Sequence, residues 1–122
     1  MLEKQAPLFS IIIPTFNAEK VLATAIESIQ AQSLKDYEII IVDGNSTDLT
    51  IEIILSYAHS LGVIHYVSEN DKGIYDAMNK GIQMATGTFL YFLGADDYLI
   101  DSLVLTDIKE IITDAKYDVV YG

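Results

Sequence analysis

The side chains best suited to chemistry in this chain are carboxylates that stand just after short apolar runs. Asp96 and Asp97 follow the run Phe89 to Leu93. Two adjacent carboxylates repel each other unless a cation, an Arg or strong hydrogen bonding compensates. An all-oxygen pair suits Mg2+ or Mn2+, with the oxygens of a diphosphate completing the coordination. The same two residues also fit a plainer role, capping a helix that starts near Ser102 or forming an Asx turn. Asp43 ends a second apolar run, where a carboxylate can accept hydrogen bonds from a ribose diol or a base N–H. Asp43-Gly44 equally reads as a turn. Lys72 and Gly73 precede a helical pattern, so Lys72 and the helix N-terminus are candidates to face an anion. Asp76 and Asn79, three residues apart, share a face with Lys80 away from the apolar stripe of that helix; solvated surface is the alternative for Asn79 and Lys80.

Other chemistries find no footing. There is no G-x-G-x-x-G after the first apolar run, no G-x-x-x-x-G-K-[ST] and no G-x-S-x-G, so dinucleotide, P-loop and serine-elbow sites are absent. The chain has no cysteine, which removes thiolate nucleophiles, thiolate metal sites and disulfides. His59 and His65 show no metal-ligand spacing and read as structural.

The elements that must position the candidate residues follow from hydrophobic periodicity. Phe9 to Ile13, Tyr37 to Val42, Val63 to Val67 and Thr88 to Leu93 are short apolar runs that read as strands buried on both faces, and Asp118 to Tyr121 starts a fifth. Between them run helical stripes. Val21 to Ile29 has Asn17 upstream as a cap, and Ile51 to Ala58 has the cluster Asn45 to Asp48; Ile74 to Ala85 and Val104 to Ile112 complete the set. Strict alternation of strand and helix predicts an α/β layered, mostly parallel sheet. In such sheets ligands bind beyond the carboxyl ends of the strands. The segments there are 14–17, 43–48, 68–73 and 94–97; all are polar and three carry carboxylates. A parallel sheet would bring them to one edge.

Bulk composition sets limits. The 122 residues suit one domain, with no internal boundary, and they include 18 acidic against 7 basic side chains for a net charge of -11. Nucleic acid is therefore not an expected partner, and an anionic ligand would need a cation or backbone N–H groups to offset the repulsion. No targeting segment precedes the first strand and the longest apolar stretches are far short of a membrane span, so the chain reads as soluble and cytoplasmic, or as part of a longer protein at the cytoplasmic face of the inner membrane. Gly122 follows directly on a strand start, which reads as truncation; a small complete domain is the alternative. Self-association as a homo-oligomer is compatible with the sequence.

Taken together, the loops resemble those of the inverting family 2 glycosyltransferases. Phe9 to Asn17 (FSIIIPTFN) is similar to their first strand and loop, and Ile39 to Asp48 (IIIVDGNSTD) to their second strand and nucleotide-binding loop. Ser68 to Gly81 (SENDKGIYDAMNKG) resembles their substrate-proximal segment, especially in the bacterial surface-polysaccharide branch. Leu93 to Asp97 (LGADD) looks like their metal-binding acidic region. The likeness covers nearly the whole chain. It implies a GT-A fold, a three-layer α/β sandwich, with residues 1–122 as its nucleotide-sugar-binding part. It also implies transfer of a sugar, with inversion, from a nucleotide-diphosphate sugar to the hydroxyl of a glycan or lipid-linked acceptor, assisted by Mg2+ or Mn2+. Pro14, Thr15, Phe16 and Asn17 would line the nucleotide pocket and Asp43 would bind the base or ribose. Lys72 and Asn79 would lie near the base, ribose or donor sugar. Asp96 would be the main metal-side carboxylate, with Asp97 beside it. Two departures stand out. The family often has an Asp where this chain has Gly94, and its general base lies beyond residue 122 together with the acceptor-binding part, so the fragment itself should turn over little. A non-catalytic nucleotide-sugar-binding domain is the main rival. A nucleotidyltransferase is a weaker one, because 14–17 lacks a Gly- and basic-rich loop.

Overall fold

Each apolar run forms a strand and each amphipathic stripe a helix. The computed structural model describes residues 6–115 and 119–121. In chain order the elements are β1 (Phe9–Thr15), α1 (Leu22–Gln30), β2 (Tyr37–Asp43), α2 (Thr50–Ser60), β3 (Ile64–Ser68), α3 (Ile74–Met84), β4 (Phe89–Phe92), α4 (Val104–Ala115) and β5 (Val119–Tyr121). The strands make one sheet in the order β3-β2-β1-β4-β5, every neighbouring pair parallel.

Side chains alternate across the sheet, so odd and even positions of a strand meet different helices. Phe9, Ile11 and Ile13 of β1 and Tyr37, Ile39 and Ile41 of β2 pack with Leu22, Ile26 and Ile29 of α1, Ile54 of α2, and Leu105 and Ile112 of α4. Ile12, Ile40 and Val42 face the other way and pack with Ala77 of α3. Helices on both faces explain why β1 and β2 are apolar throughout. Gly81 of α3 sits so close to Ile12 that a Cβ there would lie 2.5 Å from a methyl carbon of that side chain; only a glycine lets the helix come this near.

The expectation of strands buried on both faces holds for β1 and β2 but not further out. In β3 only Ile64 is buried, while His65 and Tyr66 are exposed, because β3 is the sheet edge. Only Tyr91 is fully buried in β4. No helix among the described residues is long and apolar enough to cross a membrane.

Strand order matters for the site. The chain steps from β1 to β2 and β3 on one side, then returns to place β4 on the other side of β1. The strand order thus reverses between β1 and β4, the kind of position where ligands bind in open α/β folds.

Candidate functional site

All the segments picked out in the sequence do meet at the carboxyl edge, since the sheet is parallel. Two adjoining hollows lie there. One, about 450 Å³, is lined by Pro14, Thr15, Phe16, Gly44, Asn70, Asp71, Gly73, Ile74 and Ala77. The second, about 380 Å³, opens between the loops after β1 and β4 and includes Asn17, Gly94, Ala95 and Asp96. Pro14, Phe16 and Ile74 line both, so the two form one trough divided by these three side chains. Larger hollows elsewhere lie away from this edge, around α2 and β3 or beside the amino ends of the strands.

Asp43 is the hub of the edge. It has no solvent exposure. Its Oδ1 accepts from Thr15 Oγ1 at 2.6 Å and Ser46 Oγ at 2.6 Å, and its Oδ2 accepts from Ser46 N–H at 2.8 Å and Ser68 Oγ at 2.9 Å. A carboxylate offers about four acceptor sites, so protein donors occupy all of them. Burial alone would raise the Asp43 pKa, but the hydrogen bonds from Ser46, Thr15 and Ser68 outweigh it and hold the carboxyl below its usual value. Asp43 thus binds the ends of β1 and β3 and the start of the next loop to β2. Thr15, equally buried, serves the same knot.

Asn17 does not cap α1. It adopts φ 48°, a left-handed conformation that Asn tolerates. Its Oδ1 accepts from Thr47 N–H at 2.9 Å, and its own N–H donates to Ser46 Oγ at 2.8 Å. The residue therefore clamps the first loop to the second. The N-cap of α2 is Leu49, whose side chain makes no capping bond, but Asp48 of the expected Asn45–Asp48 cluster holds the helix start from one residue before it, with Oδ1 accepting from Thr50 N–H at 2.9 Å. Phe16, held between these clamps, is 65% exposed and forms the wall shared by the two hollows.

The start of α3 is occupied by the chain's own carboxylates. Lys72 N–H donates to Asp76 Oδ2 at 2.9 Å and Gly73 N–H to Asp71 Oδ1 at 3.1 Å. The expected anion position at this terminus is filled from within, and the Lys72 N–H and the Asp76 carboxylate belong to the helix start. Lys80 is a structural tie, not plain surface: its Nζ donates to the Asn70 carbonyl at 3.0 Å and pairs with Glu69 at 3.3 Å and Asp76 at 3.5 Å. Lys72 and Asn79 are exposed and line neither hollow.

Asp96 and Asp97 lie on a tight turn closed by Asp97 N–H donating to the Gly94 carbonyl at 3.0 Å. Both carboxylates are exposed. They converge: a Cβ at residue 94 would stand 2.8 Å from Asp97 Oδ2 and 3.1 Å from Asp96 Oδ1. Neither caps α4. Asp101 takes that task, its Oδ1 accepting from Leu103 N–H at 2.8 Å. Beyond that turn, the start of α4 is held by a residue with no sequence signal, Gln32. It is almost fully buried, and its side chain donates to the Asp101 carbonyl at 2.5 Å and accepts from Leu105 N–H at 3.0 Å.

The donor set fits a hard divalent cation held by few protein ligands. Two exposed carboxylates meet over a glycine at the rim of a hollow, although no group of three or more His, Cys, Asp or Glu that could hold a metal ion gathers among the described residues. Mg2+ needs only one or two carboxylates where substrate phosphates complete its shell.

The parallel five-stranded sheet with helices on both faces is that of a GT-A-like α/β sandwich, and sequence comparison gives its family. Residues 10–122 match the family described as Glycosyl transferase family 2, and the chain belongs to that family. It is 46% identical over 121 residues to a "PGL/p-HBAD biosynthesis glycosyltransferase" of Mycobacterium bovis, covering 96% of this chain and 46% of the relative. Among solved structures, S. aureus TarS 1-349 in complex with UDP-GlcNAc superposes with a TM-score of 0.79 at 31% identity, covering 87% of this chain and 31% of that one. The mannosyltransferase PcManGT from Pyrobaculum calidifontis, in complex with GDP-Man and Mn2+, shares the fold with a TM-score of 0.83 at 23% identity, over 90% of this chain and 33% of that one. The chain thus spans about half the length of the curated relatives it matches.

Proposed function

We propose that this chain is the donor-binding part of an enzyme that moves a sugar from a nucleotide-diphosphate sugar to an acceptor hydroxyl with inversion, in the synthesis of a bacterial polysaccharide or glycoconjugate. The observation that carries the reading is the convergence of Asp96 and Asp97 over Gly94, at the mouth of the hollow between β1 and β4. A diphosphate seated there would be repelled by a chain of net charge -11 unless a cation lay between. Mg2+ or Mn2+ bound by these carboxylates would supply charge compensation on the departing diphosphate. Family membership and the UDP-GlcNAc complex of TarS support the class of donor.

In the transfer, the acceptor oxygen forms a bond to the anomeric carbon while the bond from that carbon to the phosphate oxygen breaks, and the diphosphate leaves with the electron pair. The acceptor proton passes to a carboxylate that we place outside this chain, with the acceptor-binding part. The residues present here bind and orient. Thr15, Ser46 and Ser68 fix the loops through Asp43 and Asn17 does so through Ser46 and Thr47, Phe16 and Ile74 wall the trough, and the acidic turn would hold the cation that the diphosphate needs. Titration of the chain with UDP, GDP and TDP, each with and without Mn2+, tests the reading. Metal-dependent binding of at least one is expected; no binding of any would overturn it.

A further inference from the structure

The family resemblance gives nucleoside recognition to Asp43, yet that carboxylate is sealed: no exposed surface, and four protein donors on its two oxygens. To reach a ligand it would have to give up hydrogen bonds that hold three strands together. Another carboxylate stands next to it in the hollow. Asp71, from the loop between β3 and α3, lies directly over Gly44, where a Cβ would be only 2.9 Å from Asp71 Oδ2. Any side chain at residue 44 would push Asp71 aside. The glycine thus leaves the space that the Asp71 carboxylate occupies. One of its oxygens, Oδ1, accepts from Gly73 N–H and fixes the side chain. Oδ2 takes no donor among the described residues and belongs to a side chain that lines the hollow.

We propose that Asp71, not Asp43, is the carboxylate that reads the nucleoside, with Oδ2 accepting a ring N–H of the base. This rests on the reading that the trough binds a nucleoside diphosphate. The two hollows divide the ligand by chemistry. The Asp71 hollow carries Pro14, Phe16, Ile74 and Ala77 beside a single carboxylate and no basic side chain. Such walls suit a flat heterocycle and repel a phosphate. The Asp96 hollow has the carboxylate pair at its rim, and these carboxylates would hold a cation that offsets the charge of the diphosphate. A base with an N–H beside a carbonyl, as in uracil, thymine or guanine, matches the lone acceptor.

Asp71→Asn separates recognition from structure. The amide oxygen must face Gly73 N–H to keep the turn, so the NH2 group replaces Oδ2 and turns an acceptor into a donor. The 122-residue chain is titrated in Mn2+ with UDP and GDP, with their counterparts methylated at the ring N–H, and with their 2′-deoxy forms. In the wild type, methylation should weaken the preferred nucleotide about tenfold or more, the loss of one hydrogen bond to a charged group. D71N should weaken the unmodified nucleotide by a similar factor, leave the methylated one nearly unchanged, and melt at the wild-type temperature. Gly44→Ala, which displaces the same carboxylate, should reproduce the loss. Unmodified-nucleotide affinity that is equal in wild type and D71N would overturn the proposal, as would sensitivity to D71N that vanishes with the 2′-deoxy form instead of the methylated one. A wild-type chain that binds no nucleotide overturns the functional reading as well; a wild type that binds while D71N matches it overturns this inference alone.

Discussion

Strand β2 carries a buried carboxylate near each end, and the two invite comparison. Glu38 lies opposite Ser10 of β1, and Asp43 opposite Thr15 of the same strand. In both pairs the β1 hydroxyl donates to the carboxylate at 2.6 Å. Both groups have pKa values below their usual range: burial raises each, and hydrogen bonds, from Ser10 and Thr86 to Glu38 and from Ser46, Thr15 and Ser68 to Asp43, outweigh it. At the amino edge the knot closes on itself. Glu38 Oε2 accepts from Thr86 N–H at 2.7 Å, and Ser10 Oγ accepts from Gly87 N–H at 2.7 Å, which fastens the turn between α3 and β4. At the carboxyl edge the same chemistry props loops apart around an open trough. A buried, hydrogen-bonded carboxylate is therefore scaffold at either end, and the exposed carboxylates that the scaffold holds are the ones free to meet a ligand.

The comparison can be broken in several ways. The largest effect is expected from Asp43→Ala. It strips the acceptor from four donors, and the folded state should lose roughly 3 kcal/mol or more, since hydrogen bonds to a charged group are worth about 1.5–3 kcal/mol each and do not add fully. Urea unfolding measures this. A variant of unchanged stability that had lost only nucleotide binding would make Asp43 a ligand group and sink the parallel. Glu38→Ala should cost less, about 2 kcal/mol, because Glu38 accepts from three donors, all on one oxygen, where Asp43 accepts from four on both. Nucleotide affinity of the folded E38A protein should match wild type; a weaker affinity would mean that the two edges are coupled.

Acid probes both knots together. Folding lowers the pKa of Asp43 and of Glu38, so in the range between folded and unfolded values the unfolded chain binds more protons. The stabilisation is complete above the ordinary carboxylate pKa of about 4 and is lost as pH falls through the lower folded values. Melting temperatures recorded from neutral pH downward should decline in that window, and Glu38→Gln should flatten the decline; an unaltered slope in E38Q would remove Glu38 from the account. The smallest effect on stability is expected from Asp96→Asn, within about 0.5 kcal/mol, because the group is exposed and not hydrogen-bonded into the fold. The same substitution should abolish most of the Mn2+ dependence of UDP or GDP binding. Retained Mn2+ dependence would move the cation elsewhere.

The order of elements, the parallel sheet and the identity of the loops at its carboxyl edge were all legible in the sequence. The reason is that apolar periodicity is a local property: β1 and β2 are apolar throughout because each faces helices on both sides, and α1 to α4 each carry a stripe. The acidic turn was legible too, as was the polar cluster that leads into the second helix. What the residues around the site actually hold was decided by register and strand order. Asn17 meets Thr47 and Ser46, Thr15 meets Asp43, and Gln32 meets Asp101 and Leu105, across separations of 28 to 73 residues. No pattern confined to one segment records such partners. Exposure of β3 follows likewise from its place at the edge, which its own five residues do not announce. Sequence alone thus marked which loops gather at the carboxyl edge. Tertiary structure determined that Asp43 spends its lone pairs on the protein, that Gly44 leaves room for Asp71, and that Gly94 lets Asp96 and Asp97 converge, because hydrogen-bond saturation and close approach exist only once distant strands are in register.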